Sequence, residues 1–61
     1  MSDVFYVRGP EGYSFIVNVI HTCMLTDVMT VEYNGEEYSL KYNYANSYYE
    51  GSVDGKSGYL V

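Results

Sequence analysis

Only one cysteine, Cys23, occurs in the 61 residues, so no internal disulfide can staple the chain. Secreted domains of this length usually carry several bridges, because so small a core supplies little net stability by itself. A lone thiol packed as a small apolar side chain points instead to a reducing cytoplasm. Long apolar runs are missing as well. The longest, around Phe15 to Ile20, is interrupted by Asn18 and is far too short to span a bilayer. The start Met1-Ser2-Asp3-Val4 lacks the basic stretch of a signal peptide. A soluble protein is expected.

Positive charge is scarce. Arg8, Lys41 and Lys56 face eight acidic residues, for a net charge of −5. Nucleic-acid binding needs a basic stripe that displaces counterions from phosphates, and these three cations are scattered. The same deficit argues against attachment to an anionic membrane. A partner with a basic surface is the better electrostatic match; the plainer reading of the charge is that it keeps a tyrosine-rich domain in solution.

What is abundant favours sheet. Nine tyrosines, many valines and six glycines suit strands and turns better than helices. No linker, repeat or low-complexity tract divides the chain, so residues 1–61 read as one acidic β domain. Val4 to Arg8 reads as a first strand, Gly9-Pro10-Glu11-Gly12 as a turn, and Tyr13 to about His21 as a second strand. Closing that hairpin over four residues sets Arg8 opposite Tyr13, Tyr6 opposite Phe15 and Val4 opposite Val17. The other face then carries Phe5, Val7, Ile16 and Ile20. His21 to Asp27 is expected to be a loop or a short irregular strand.

The second half is more sharply punctuated. Asn34-Gly35 suits a two-residue type I′ turn, where both central residues need positive φ. It sets Tyr33 against Glu36, Val31 against Tyr38 and Met29 against Leu40, with Glu32 meeting Glu37 on the opposite face. A turn at Ala45-Asn46 sets Tyr44 against Ser47, Tyr42 against Tyr49 and Lys41 against Glu50. Asp54-Gly55, a second type I′ dipeptide, sets Val53 against Lys56, Gly51 against Gly58 and Tyr49 against Leu60. All three turns keep Met29, Val31, Tyr38, Leu40, Tyr42, Tyr49, Val53 and Leu60 on one face. Gly51 opposite Gly58 marks a sharp bend or a close backbone approach. The expected fold is therefore all-β: a small antiparallel meander of five to six strands, either a coiled sheet or an SH3-like barrel.

Catalytic and cofactor motifs do not assemble. Gly55-Lys56-Ser57 resembles the end of a phosphate-binding loop, but Glu50 stands where that loop needs a glycine and no helix follows. His21 and Cys23 share a strand face, yet a structural zinc needs four such ligands and the chain has two. Glu32 and Glu37 lie on an open face without an apolar pocket to raise a pKa. A non-enzymatic role without cofactors or bound metal is expected.

The polar face holds what remains. Like charges directly opposite in a sheet are destabilising, so Glu32 against Glu37 calls for a reason. Glu36, Glu50 and Asp54 thicken the negative field, and Tyr48 and Tyr59 supply rigid aromatic area beside it. These seven residues are the candidate partner-binding set. They suggest a small acidic protein-binding module, an inhibitor that occupies a basic, nucleic-acid-binding surface of a partner protein, as small virus-encoded inhibitors of host defences do. The alternative is a structural protein that forms homo-oligomers through edge strands.

Overall fold

The computed structural model describes residues 1–10 and 12–60. Glu11, placed by the sequence in the first turn, and Val61, placed at the last strand's end, lie outside the described residues. Six strands follow in chain order: β1 (Ser2–Val7), β2 (Ser14–Cys23), β3 (Val28–Tyr33), β4 (Glu36–Asn43), β5 (Tyr48–Val53) and β6 (Lys56–Leu60). Each pairs antiparallel with the next, and β6 returns to pair with β1, closing a barrel. The architecture is an all-β meander closed as a small SH3-like barrel. No helix among the described residues is long and apolar enough to cross a membrane.

Two tight turns fix the register of the second half. Asn34 and Gly35 have φ of 52° and 81°, and Asp54 and Gly55 have 55° and 75°, as the type I′ geometry demands. The pairs Tyr33↔Glu36, Val31↔Tyr38 and Glu32↔Glu37 follow from the first turn, and Val53↔Lys56, Gly51↔Gly58 and Tyr49↔Leu60 from the other. Between β4 and β5 the expected register also forms, with Lys41↔Glu50 and Tyr42↔Tyr49. The connection is wider than the two residues expected. The Ser47 amide donates to the Asn43 carbonyl at 2.8 Å, and the Asn43 side-chain oxygen accepts from the Ala45 and Asn46 amides at 2.9 and 3.2 Å. Without a glycine at Ala45-Asn46, the positive φ moves to Ser47, at 61°.

The first hairpin departs from expectation by one residue. Its pairs are Tyr6↔Ser14, Phe5↔Phe15, Val4↔Ile16 and Asp3↔Val17, not Tyr6 with Phe15 or Val4 with Val17. Barrel closure is the cause. The Arg8 amide donates to the Ser57 carbonyl on β6 at 2.8 Å, which holds Arg8 out of the β1–β2 ladder, and the Val7 amide donates to the Tyr13 carbonyl at 2.9 Å. A one-residue slip exchanges the faces of a strand pair. Phe5 and Val17 consequently face the interior, while Ile16 is left 60% exposed. β2 then runs on past His21 to Cys23, with an irregularity between Val19 and His21, and turns through Met24–Asp27. Asp27 takes a positive φ of 59° there.

Each strand contributes one fully buried apolar side chain: Phe5, Val17, Val31, Leu40, Val53 and Leu60. Phe15, Val19, Met29, Tyr33, Tyr38 and Tyr49 pack around them. Tyr42, expected in this core, stacks edge-on against Tyr44 and Tyr49 instead, with ring centroids 4.8 and 5.0 Å away. Gly58 answers the question its position raised. A Cβ there would stand 2.6 Å from the Phe5 ring and collide with the Tyr6 carbonyl oxygen, so only glycine lets β1 close against β6.

Candidate functional site

Alternation along each strand sends Glu32, Glu37, Lys41, Tyr48, Glu50 and Tyr59 outward, but the barrel sorts them into separate groups. Glu32 and Glu37 are direct cross-strand partners, and Glu36 stands beside the Asn34-Gly35 turn. Glu36 and Glu37 are exposed and Glu32 half-buried. Asn18, on β2 opposite Glu32, donates its side-chain amide to the Glu32 carboxylate at 3.3 Å. Among the described residues no cation pairs with any of these three carboxylates. The arrangement is a negatively charged corner beside a two-residue type I′ turn.

Glu50, Tyr48 and Tyr59 belong to a different group, organised by Arg8. The guanidinium donates to the Tyr48 hydroxyl at 2.8 Å and to the Glu50 carboxylate at 3.0 Å. It lies over the faces of Tyr48 and Tyr59, 5.5 and 5.3 Å from the ring centroids, within cation–π range. Tyr48 stacks on Tyr59 at 4.7 Å, and Tyr59 on Tyr6 at 5.7 Å. The second Glu50 oxygen accepts from the Asn43 side chain at 2.9 Å. Hydrogen bonding to Tyr48 and the negative charge of Glu50 hold the Arg8 pKa above its ordinary value. The carboxylate and the two rings are already occupied, which makes them a structural latch over the β1–β6 closure. An open groove of about 260 Å³ runs beside the latch, lined by Arg8, Glu50, Ser52, Ser57 and the backbones of Gly51 and Gly58.

Asp54 forms a third, local group. Its carboxylate lies 3.6 Å from the Lys56 ammonium across their own turn. Lys41 faces Glu50 in register, yet Arg8 takes the ion pair that this register suggested.

Of the seven candidate residues, then, Glu32 and Glu37 are cross-strand neighbours, while Glu36 stands next to them at the turn on the alternate face, paired with Tyr33. Arg8, Tyr6 and Asn18 were not singled out by sequence. Asn18 is placed by the β2–β3 pairing; Arg8 and Tyr6 reach their partners only because β1 closes on β6, a contact that no local pattern announces.

At the opposite end of the barrel, His21 and Cys23 face the same way from β2, across from Thr30 and Val28. Hydrogen bonds from the Thr26 hydroxyl and from the Thr26 and Leu25 amides lower the Cys23 pKa. Among the described residues no group of three or more His, Cys, Asp or Glu side chains is arranged to hold a metal ion. No protein-family model, curated protein or solved structure matches the chain.

Proposed function

We propose that this chain is a small acidic protein-binding module of the cytoplasm, which docks its Glu32–Glu36–Glu37 corner on a basic surface of a partner protein. One observation carries the reading: two glutamates are locked directly opposite each other by a type I′ turn, and the chain's own cations are placed elsewhere. Such a pair costs about a few tenths of a kcal/mol in the free protein. A cationic partner turns the repulsion into attraction. A basic groove that ordinarily holds phosphates offers that chemistry, and a barrel seated in it excludes the nucleic acid. The module is then an inhibitor, with no chemistry of its own.

Binding of a basic, nucleic-acid-binding protein captured with this chain as bait tests the proposal. Affinity should fall steeply as salt rises and should vanish in the Glu32→Lys/Glu37→Lys variant, with the circular dichroism spectrum retained. Affinity that is indifferent to salt, or unaffected by the double charge reversal, refutes it.

A further inference from the structure

The asparagines of this chain are not equally held. Asn18 donates its side-chain amide to Glu32 at 3.3 Å, Asn43 donates to Glu50 at 2.9 Å, and Asn46 donates to the Tyr48 hydroxyl at 3.2 Å. Asn34 makes no side-chain hydrogen bond among the described residues. It is exposed at the tip of the β3–β4 hairpin and is the one asparagine followed by glycine. The next amide is open as well. Tyr33 and Glu36 pair around the turn, and type I′ geometry gives that bond to the Glu36 amide, so the Gly35 nitrogen is left without a cross-strand acceptor. Nothing stands within 4 Å of where a Gly35 Cβ would lie, and the approach to that nitrogen is unobstructed.

We propose that Asn34-Gly35 is a site of spontaneous covalent modification, which rewrites the acidic corner that it closes. Hydroxide takes the Gly35 amide proton, and the nitrogen bonds to Asn34 Cγ. The Cγ–Nδ2 bond breaks, ammonia leaves with a proton returned by water, and a five-membered succinimide remains. Water then opens the ring. Cleavage of the new N–Cγ bond gives aspartate; cleavage at the backbone carbonyl carbon gives isoaspartate, with the chain routed through Cγ. Ring closure requires Asn34 to rotate out of its αL conformation, at φ 52°, so the folded turn slows the reaction without hiding its atoms.

The two products act oppositely on the corner. Aspartate keeps the turn, since Asp54 holds the same place before Gly55 with φ of 55°, and it adds one negative charge beside Glu32 and Glu37. Isoaspartate lengthens the backbone of a two-residue turn by one carbon, which the Tyr33↔Glu36 pairing cannot absorb. Asp54 itself is protected from this chemistry: its carboxylate lies 3.6 Å from the Lys56 ammonium, and an ionised carboxylate is a poor electrophile. An effect of either product on partner binding rests on the docking role proposed above; the chemistry does not.

Incubation of the whole chain in mildly alkaline buffer, followed by fragment mass spectrometry, tests the proposal without a partner. Asn34 should exchange its side-chain nitrogen for oxygen at least tenfold faster than Asn18, Asn43 or Asn46, at a rate proportional to hydroxide, and more slowly than in the same chain unfolded in urea. The product should separate into two species. One should match the recombinant Asn34→Asp variant, with slow amide hydrogen exchange retained at Tyr33 and Glu36; the other, isoaspartyl by electron-transfer fragmentation, should lose that protection. Asn34 left intact in the folded chain after the unfolded chain has fully converted, or another asparagine reacting as fast, overturns the inference.

Discussion

Gly58 shows how one missing methyl decides the fold. Any side chain there must displace the Phe5 ring or the β1 backbone, because a Cβ meets the ring at 2.6 Å and the Tyr6 carbonyl oxygen closer still. Backbone cannot yield as a flexible side chain does, so Gly58→Ala should cost at least the roughly 1–3 kcal/mol of ordinary overpacking. Urea denaturation followed by tyrosine fluorescence should show a midpoint well below that of the parent. Gly51→Ala meets Leu40 Cδ2 at 2.8 Å, a side chain with room to adjust, and should be milder. Glu32 and Glu37 pull in the opposite direction. Removing their mutual repulsion with Glu32→Gln/Glu37→Gln should raise stability by about a few tenths of a kcal/mol while weakening partner binding. A variant that binds as well as the parent would mean the carboxylates serve solubility alone.

At the level of strands and turns, the hairpins closed by Asn34-Gly35 and Asp54-Gly55 were legible because their φ requirements leave one register, which alternation then confirms. The first hairpin was not. Gly9 to Gly12 allows a loop of four residues or five, and both give plausible apolar pairs, since Phe5, Tyr6, Phe15 and Ile16 alternate in neither set cleanly. The choice is made from across the molecule, where Ser57 takes the Arg8 amide. The Arg8 clamp was hidden for the same reason: residue 8 meets residues 48, 50 and 59 only after closure. The Glu32–Glu37 pair, set by its own turn, was legible. The two turns at the other end are joined by the Tyr44–Asp27 hydrogen bond and by the Tyr42 amide, which donates to the Asp27 carbonyl at 2.9 Å. Accepting the phenol hydrogen, Asp27 raises the Tyr44 pKa above its ordinary value near 10. The folded protein therefore holds that proton more tightly than the unfolded chain. The resulting stability is fully present below about pH 10 and is lost as pH climbs through the raised value. Comparing melting temperatures of the parent and Tyr44→Phe should show the difference shrinking as pH rises above 10. A constant difference would place Tyr44's contribution in packing instead.

For the whole molecule, stability is a contest between a small closed core and a net charge of −5. At 0.05–0.15 kcal/mol per residue, a chain of this size holds roughly 3–9 kcal/mol against unfolding. Phe5 is fully buried and bonded between β2 and β6, so Phe5→Ala should cost about 3–5 kcal/mol, a large part of that margin. Against that margin, self-repulsion among the carboxylates is not negligible. The two ion pairs among the described residues, Arg8–Glu50 and Lys56–Asp54, are solvent-exposed, and pairs of that kind contribute little that salt could take away. Repulsion therefore dominates the salt response. Raising ionic strength from about 0.01 to 0.15 M shortens the screening length from about 30 to about 8 Å, which reduces coupling between separate carboxylates across the barrel. The melting temperature should rise, and should rise less in Glu32→Gln/Glu37→Gln, where part of the repulsion is already gone. A melting temperature that falls with salt would show that the Arg8 latch, by holding β1 to β6, outweighs the net charge in keeping the barrel closed.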